Sequence, residues 1–288
     1  MPADTSLTRA RDEARRRTGD EQERNRLWWE SLPMTYVGWE DTDRVPTAPE
    51  EFRAVDAQFL RGNPWLGSQF DFAARAGERV LEIGCGAGSA SCLFARSGAV
   101  VTGIDLTEQA VQLAQANARS QGLAVDVRRM DAEQLGFPDA SFDYVFSWGV
   151  IHHSRSTETI IGEISRVLRP GGRGLVMVYN RNSIRYYLLG LYWLIARGKL
   201  FAGHDLVSVQ QFFTDGFYQR HFSPAELRDA FRNAGLDAEH ISLTQTVNKM
   251  FPGIPAWLDE WLKSRAGWLL VIEFAKRSSG STHEPVSA

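Results

Sequence analysis

A glycine-rich turn directly after a strand-like run is the feature that most constrains the fold of this chain. Residues 79–83 read RVLEI, and Gly84, Gly86 and Gly88 follow at alternate positions before a helix that begins near Ser89. Glycine lets the backbone turn sharply and approach a ligand closely. A strand, a glycine-rich turn and a helix in this order are typical of the first unit of a parallel α/β sheet.

The remainder of the chain continues this alternation of strands and helices. Strands are predicted over residues 79–83, 100–105, 125–130, 142–148, 173–179, 240–247 and 268–277. Pro170-Gly171-Gly172 is expected to end a helix over 157–168, and Ser223-Pro224-Ala225-Glu226 predicts a capping box at the start of the last helix. Alternating strands and helices favour a parallel sheet covered on both faces. The predicted fold class is therefore α/β, with a Rossmann-like, doubly wound, mostly parallel seven-stranded sheet.

Shifts in composition divide the chain into six predicted segments. The first three are a charged N-terminal segment (1–26, a frayed helix or disordered), an aromatic N-terminal cap (27–70) and a Rossmann-like cofactor-binding core (71–180). The other three are an inserted helical lid that borders the pocket for an acceptor substrate (181–222), a helix and strands that complete the sheet (223–277) and a disordered tail (278–288). The insertion is too long and too aromatic for an ordinary connection, which is why we interpret it as a lid.

Bulk composition limits the function classes. The net charge of -3 gives no global field for a phosphate backbone, so we expect no nucleic-acid partner. Cys85 and Cys92 are the two cysteines, too few for a disulfide framework, and no metal site is predicted. The N-terminus lacks the pattern of a signal peptide, so we expect a cytoplasmic protein. The most apolar run, 186–196, is too short to span a bilayer, and no stable membrane insertion is expected, although a surface-bound amphipathic helix over 184–200 is an alternative.

Acidic residues stand at the ends of two of the predicted strands, at the edge where such sheets bind ligands. Asp105 can accept hydrogen bonds from the hydroxyl groups of a ribose, which NAD and other nucleoside cofactors share. The dinucleotide pattern counted from Gly84 requires glycine at position 89, where this chain has Ser89, and this disfavours NAD. Asp131 and Ala132 follow the third strand, where a carboxylate can accept a hydrogen bond from an adenine amino group.

Together these residues resemble the class I S-adenosylmethionine-dependent methyltransferases, in particular the small-molecule branch similar to ubiquinone and menaquinone biosynthesis enzymes. That branch has an L-R-P-G-G turn, here Leu168 to Gly172. The resemblance covers about residues 79–180 and the general plan of the last helix and strand pair. It implies that residues 82–88 contact the amino-acid part of S-adenosylmethionine, that Asp105 holds the ribose and that residues 131–132 flank the adenine.

The predicted cofactor site combines the glycine-rich turn with the ends of the second, third and fourth strands. Its members are Glu82, Gly84, Cys85, Gly86, Gly88, Asp105, Leu106, Asp131, Ala132, Ser147 and Trp148. The implied cofactor is S-adenosylmethionine and the implied product is S-adenosylhomocysteine.

A general base is useful when the methyl acceptor is a hydroxyl group, a protonated amine or an acidic carbon. The candidates are His152, His153 and His221; the alternative for each is a side chain that only packs or bonds a loop carbonyl. The candidate acceptor-binding residues are Trp29, Tyr36, Trp39, Tyr179, Asn180 and Tyr187. Most of the aromatic side chains have a second interpretation, which is simple packing of a cap on the core.

We therefore predict an enzyme that transfers methyl from S-adenosylmethionine to an O, N or C atom of a small, apolar or planar molecule by direct in-line displacement. The alternatives are an NAD(P)-dependent Rossmann oxidoreductase and a non-catalytic S-adenosylmethionine-binding protein. A nucleic-acid amine methyltransferase is disfavoured because Ser147-Trp148-Gly149-Val150 stands where those enzymes have Asn/Asp-Pro-Pro-aromatic. The expected partner is a small-molecule acceptor, and a homodimer is left open.

Overall fold

A computed structural model describes residues 21–30, 46–214, 218–245 and 253–278 of the chain. Within these residues a mixed sheet forms the centre of the molecule. Its strands are β1 (Arg79–Ile83), β2 (Val100–Asp105), β3 (Val125–Arg129), β4 (Phe142–Trp148), β5 (Leu168–Asn180), β6 (His221–Phe222), β7 (Leu236–Thr244) and β8 (Leu269–Lys276).

The strand order is β3-β2-β1-β4-β5-β8-β7, and the two-residue β6 pairs with the end of β5. Strands β1 to β5 are parallel to their neighbours in this order, whereas β8 runs antiparallel to both β5 and β7. The order of the strands reverses at β1: β2 and β3 follow on one side of it, and β4 and β5 lie on the other. Ligands of open α/β sheets bind at such a switch point, outside the carboxyl ends of the strands.

The predicted fold class is confirmed, with a short eighth strand added to the seven that form the main path. Two strands start earlier than predicted. β5 begins at Leu168 and not after Gly172, because Pro170 and the two following glycines lie in an irregularity of the strand where the pairing with β4 shifts register. β7 begins at Leu236 rather than at residue 240, because Gly235 in the left-handed region turns the chain directly from helix to strand.

Helices cover both faces of the sheet. They are α1 (Glu21–Glu30), α2 (Pro49–Gly62), α3 (Pro64–Gln69), α4 (Ser89–Arg96), α5 (Glu108–Ser120), α6 (Thr157–Val167), α7 (Ile184–Leu191), α8 (Pro224–Asn233) and α9 (Ala256–Ala266). One core cluster joins the sheet to α6 and α8 through Ile161, Ile164 and Phe231. A second joins the other face to α2 and α4 through Phe59 and Phe94. Apolar residues at helical spacing bury one stripe of each helix, which is what holds it on the sheet.

The capping box predicted before α8 is confirmed. The Ser223 hydroxyl accepts a hydrogen bond from the Glu226 amide at 3.3 Å, and the Glu226 carboxylate accepts one from the Ser223 amide at 2.8 Å. Both groups would otherwise lack a partner at the start of the helix. The insertion that precedes α8 is helical: α7 continues into a wider turn at Tyr192–Ala196, and short 3₁₀ turns follow at Lys199–Ala202 and Ser208–Phe212.

Replacing Gly88 with alanine is expected to destabilise the fold by about 2 to 5 kcal/mol, as the sum of a left-handed backbone and a crowded methyl group. Gly88 has a φ of +79°, and an added Cβ would lie 2.9 Å from the Cα of Ala114 in α5. The measurement is urea-induced unfolding followed by circular dichroism.

Gly122→Ala is the matched control, because Gly122 has a φ of +67° but no atom within 4 Å of the added Cβ. The free energy of unfolding of this variant should fall only by the cost of the left-handed backbone, about 1 to 2 kcal/mol. Equal losses of unfolding free energy in the two variants would show that the close approach of α4 to α5 does not contribute to stability.

Candidate cofactor and acceptor site

A cavity with a volume of about 540 Å³ lies at the carboxyl edge of the sheet. Gly84 and Gly86 after β1, Asp105 of β2, Trp148 of β4 and Tyr179 of β5 form its floor. Other walls come from α1, the insertion and the residues next to α2, β7 and β8. They are Gln22, Trp29, Asn63, Arg185, Gln245 and Trp268. Small-molecule and cofactor pockets are commonly about 300 to 1,000 Å³, so this cavity has room for a nucleoside cofactor beside a small acceptor.

The glycine-rich loop is bound to the end of β2. The amides of Gly84 and Cys85 both donate to the Ile104 carbonyl, at 2.8 and 3.0 Å. Gly84 has a φ of +74°, and a Cβ there would lie 2.2 Å from Cγ2 of Val150. Glycine is therefore required at this position by both conformation and space. Gly84 and Gly86 line the cavity, whereas Cys85 and Gly88 lie outside the lining, buried behind the loop.

The side chain of Glu82 does not reach the cavity lining. It is buried at the end of β1 and accepts a hydrogen bond from the Ser91 hydroxyl in the first turn of α4. Burial raises the pKa of Glu82 to about 8, because removal from water penalises the charged carboxylate. Glu82 thus joins β1 to α4 behind the glycine-rich loop, and the residues that follow it, Ile83, Gly84 and Gly86, reach the cavity.

Asp105 is held rigidly at the cavity wall. Its carboxylate accepts hydrogen bonds from the Gly86 amide at 3.1 Å, from the Thr107 amide at 3.0 Å and from the Thr107 hydroxyl at 2.9 Å. Burial raises the pKa of Asp105, and these hydrogen bonds oppose that rise. A fixed carboxylate beside the glycine-rich loop is the acceptor that ribose hydroxyl groups require. Leu106 lines the cavity next to it.

Asp131 lies at the adjacent part of the wall, with Ala132 beside it in the lining. The side-chain amide of Gln22 in α1 donates to both carboxylate oxygens of Asp131 at 3.1 Å, and the Glu133 amide donates to one of them at 2.9 Å. An amide NH₂ group offers the same kind of donor as the exocyclic amino group of adenine. Asp131 is therefore a hydrogen-bond acceptor at the cavity wall, and its role in adenine recognition stays a prediction.

The end of β4 contributes one side chain to the cavity and one to its support. Trp148 lines the cavity and donates from Nε1 to the Oδ1 atom of Asn63 at 2.9 Å. Ser147 is fully buried outside the lining, and its hydroxyl donates to the Ile83 carbonyl at 3.1 Å, which fixes β4 against β1.

The predicted acceptor-binding residues do not all reach the same place. Trp29 and Tyr179 line the cavity, and the Tyr179 ring is stacked on Trp268 with centroids 4.7 Å apart. Asn180 is buried at the end of β5, where its side-chain amide donates to the Gly267 carbonyl at 2.8 Å. Tyr187 is 45% exposed on the outside of α7, outside the lining. The predictions for Tyr36 and Trp39 lie outside the described residues.

The three candidate histidines surround Tyr179 but differ in their access to the cavity. The ring centroid of Tyr179 is 4.1 Å from that of His152, 5.8 Å from that of His153 and 5.5 Å from that of His221. Only His153 of the three is part of the lining formed by the described residues. His152 is completely buried, and neither of its ring nitrogens has a hydrogen-bond partner among the described residues.

The sequence did not indicate several lining residues that lie far along the chain from the glycine-rich loop. These are Gln22, Asn63, Arg185, Gln245 and Trp268. The predicted boundary at residue 26 falls inside α1, whose buried Trp28 and cavity-lining Trp29 could have indicated a docked helix. Arg185 is the cation of the described lining, and its guanidinium carbon lies 4.8 Å from the centroid of the Trp268 ring.

A Rossmann-like sheet with a glycine-rich loop and two carboxylates at its switch point defines an α/β protein that binds a nucleoside-containing cofactor. Residues 81–176 match the family described as methyltransferase domain. The chain belongs to the S-adenosylmethionine-dependent methyltransferases, and S-adenosylmethionine is its cofactor. The enzyme prediction is thereby confirmed, and these comparisons give no support to the oxidoreductase alternative.

Among the similar proteins are two named ubiquinone biosynthesis O-methyltransferase. The protein of Cupriavidus pinatubonensis is 33% identical over 179 residues, which is 60% of this chain and 65% of that relative. The protein of Maricaulis maris is 34% identical over 208 residues, 69% of this chain and 74% of the relative. The crystal structure of a SAM-dependent methyltransferase from Methanosarcina mazei has a TM-score of 0.51 at 22% identity and covers 70% of this chain and 93% of its own; it supports the fold.

Two further features concern only the part of the chain that the structure describes. No group of three or more His, Cys, Asp or Glu side chains is arranged there to hold a metal ion. No helix among those residues combines the length and the apolar character needed to cross a bilayer.

Asp105→Asn is expected to weaken binding of S-adenosylhomocysteine by about 10- to 100-fold, because hydrogen bonds to a charged acceptor contribute about 1.5 to 3 kcal/mol. The measurement is isothermal titration calorimetry with the purified full chain. Asp126→Asn is the matched control, since Asp126 lies on β3 outside the lining and forms an exposed ion pair with Arg128. Equal affinities in the two variants would refute a role for Asp105 in cofactor binding.

The buried histidines predict a loss of stability in mild acid. Burial lowers the pKa of His153 to about 4 and that of His221 to about 3, and it lowers the pKa of His152 well below the ordinary value. Below pH of about 6.5 the unfolded chain takes up protons on these side chains while the folded chain does not. The free energy of unfolding should therefore fall by about 1 kcal/mol per pH unit for each histidine between about pH 6 and pH 4.5.

His221→Phe should remove one of these contributions and flatten the pH dependence by about 1 kcal/mol per pH unit. Tyr186→Phe is the control, because the Tyr186 ring lies 5.0 Å from that of His221 but carries no group that titrates in this range. Urea-induced unfolding at several pH values measures both slopes. An unchanged slope in His221→Phe would mean that His221 is protonated in the folded chain.

Proposed function

We propose that this enzyme transfers methyl to an oxygen atom of a small, planar and largely apolar molecule by direct in-line displacement, with His153 as the general base. The names of the two relatives, both O-methyltransferases of ubiquinone biosynthesis, support an oxygen acceptor. The observation that carries the proposal is the hydrogen bond between His153 Nδ1 and the Tyr218 carbonyl. It leaves the other ring nitrogen, Nε2, as a hydrogen-bond acceptor, and His153 is part of the cavity lining.

The tautomer of His153 follows from its partner. Nδ1 lies 2.9 Å from the Tyr218 carbonyl oxygen, and a carbonyl only accepts hydrogen bonds, so Nδ1 carries the hydrogen. The neutral ring then has a lone pair on Nε2. Burial lowers the pKa of His153 to about 4, so the ring is in this basic form at neutral pH. The protein therefore holds a neutral proton acceptor beside the space for a substrate, and its lowered pKa makes it a weaker base than a free imidazole.

Aromatic side chains around His153 support a planar acceptor. The Trp29 ring meets the imidazole edge-on at a centroid distance of 4.9 Å, and the Tyr179 ring does so at 5.8 Å. Tyr179 is in turn stacked on Trp268. Flat, apolar walls favour a flat ring between them and exclude water from the reacting atoms.

The residues at the other end of the cavity fit S-adenosylmethionine. Asp105 would accept hydrogen bonds from its ribose and Asp131 from its adenine, while Gly84 and Gly86 leave room for its amino-acid part against the backbone. When bound, the cofactor supplies a methyl group on a positively charged sulfur that leaves as the neutral thioether of S-adenosylhomocysteine.

His153 balances the proton of this reaction. An acceptor hydroxyl group loses its proton to Nε2 as the new oxygen to carbon bond forms, and the Tyr218 carbonyl stabilises the resulting imidazolium through the hydrogen on Nδ1. The aromatic walls hold the acceptor oxygen in line with the methyl group, which is the main requirement of a displacement with a good leaving group.

A small-molecule acceptor is consistent with the methyltransferase family. Three other statements remain predictions from the sequence: the lack of a nucleic-acid partner, a cytoplasmic location and the division into six segments. A homodimer remains open. The role of general base for His152 or His221 also remains a prediction. Their burial outside the cavity lining favours a structural role, in which both side chains support the Tyr179 ring.

His153→Ala is expected to lower kcat by about 10² to 10⁴, the usual contribution of a general base, with little change in affinity for S-adenosylhomocysteine. The assay transfers a radiolabelled methyl group from S-adenosylmethionine to a panel of phenols and catechols with apolar substituents. Affinity is measured by calorimetry on the same preparations.

His240→Ala is the matched control, because His240 is exposed on β7 and lies outside the cavity lining. It should retain wild-type turnover. Wild-type turnover in His153→Ala would contradict the assignment of the base. Turnover of none of these hydroxylated compounds by the wild-type chain would instead count against the oxygen acceptor.

A further inference from the structure

The insertion presents a row of exposed apolar side chains on the outer surface of the enzyme. We call it the apolar lid face; its members are Tyr187, Leu188, Leu191, Tyr192, Ile195, Leu200, Phe201 and Val207. Phe201 is 92% exposed and Ile195 is 68% exposed. Soluble proteins rarely leave a large contiguous apolar patch in water unless it binds something.

The helical geometry of residues 184–196 places part of this face on one stripe. Residues four apart lie on the same side of a helix. Tyr186, Gly190 and Leu194 are buried against the protein, whereas the neighbouring stripe of Tyr187, Leu191 and Ile195 is exposed. A helix that is apolar on all sides needs a second apolar environment for the stripe that its own protein does not cover.

The charges next to the apolar lid face are mostly positive. Residues 181–207, which contain the whole face, have four basic side chains, Arg181, Arg185, Arg197 and Lys199, and one acidic side chain, Asp205, although the whole chain has a net charge of -3. Arg181 is paired with Glu226. Arg197 and Lys199 lie at the end of the helical segment, over the rings of Trp193 at 5.3 Å and Phe212 at 4.3 Å. A local positive field thus adjoins the exposed apolar side chains.

We propose that the apolar lid face binds the surface of an anionic lipid bilayer, with its helical segment lying in the plane of the interface. Exposed aliphatic and aromatic side chains enter the boundary between headgroups and acyl chains, while arginine and lysine side chains contact anionic headgroups. Tyr187 and Tyr192 belong to the residue type that is enriched at this boundary. The segment 184–196 is too short to span the bilayer, which needs about 20 residues.

This inference goes beyond the proposed function and does not depend on the identity of the methyl acceptor. The same insertion contributes Arg185, Phe213 and Thr214 to the cavity wall. Bilayer binding therefore brings one wall of the active-site cavity close to the lipid phase. An apolar acceptor dissolved in that phase would have a short path to the enzyme.

The test is sedimentation of the full chain with vesicles that contain phosphatidylglycerol and phosphatidylcholine in equal parts. We expect the wild-type chain to bind these vesicles and to bind pure phosphatidylcholine vesicles at least tenfold less tightly. Ile195→Ser combined with Phe201→Ser should weaken binding by at least tenfold, because both side chains are exposed anchors. Arg197→Gln combined with Lys199→Gln should weaken it by a similar factor, and only on the anionic vesicles.

Val100→Ser is the matched control, since Val100 is 64% exposed at the start of β2 and belongs to a different surface. It should bind like the wild type. Thermal unfolding and affinity for S-adenosylhomocysteine should be unchanged in all variants. The proposal is overturned if the wild type does not bind anionic vesicles, or if the serine variant binds them as well as the wild type does. Wild-type dimers that the serine variant dissociates, without vesicle binding, would assign this face to a second copy of the chain.

Discussion

The parallel pairing of β1 with β2 is the constraint on which the cofactor site depends. Its register sets Ile83 opposite Ile104, so the chain leaving β1 passes beside the last carbonyl groups of β2. Two successive amides of the glycine-rich loop converge on the Ile104 carbonyl, and the Gly86 amide then reaches Asp105. The loop and the acid are therefore positioned by the same backbone contact. Since the loop also lies against Val150 after β4, neither β1 nor β4 can move without changing the site.

The sequence was sufficient for those parts of the fold that local chemistry decides. The alternation of strands and helices, the glycine-rich turn and the capping box at Ser223 each depend on residues a few positions apart, and each has the predicted structure. The start of β5 shows where this approach ends. Pro170 and Gly171 have the composition of a turn, but β5 continues across them because Leu168 pairs with β4 before them and Arg173 pairs with both β4 and β8 after them. Tertiary pairing overrides the local preference there.

The candidate site required contacts that no local pattern contains. Gln22 reaches Asp131 across 109 positions of sequence, and Arg185 lies over Trp268 although the two belong to different parts of the chain. Adjacent histidines pose a related difficulty, because His152 and His153 are equivalent in sequence. A short turn after β4 sends one of them beneath the Tyr179 ring and the other to the cavity. Only the three-dimensional arrangement separates a buried ring from an accessible one.

The contact between Gln22 and Asp131 has a kinetic consequence. In this structure the first turn of α1 offers the carboxylate the same kind of donor that a purine would offer, with a hydrogen bond to each oxygen. A nucleoside that uses Asp131 has to share the carboxylate with the glutamine side chain or displace it. α1 is also anchored at its other end, where the Glu30 carboxylate accepts a hydrogen bond from the Gln109 amide at the start of α5. Displacement of Gln22 would make cofactor exchange and movement of α1 steps of one process, and the residence time of the product would then depend on the same helix that supplies Trp29 to the cavity wall.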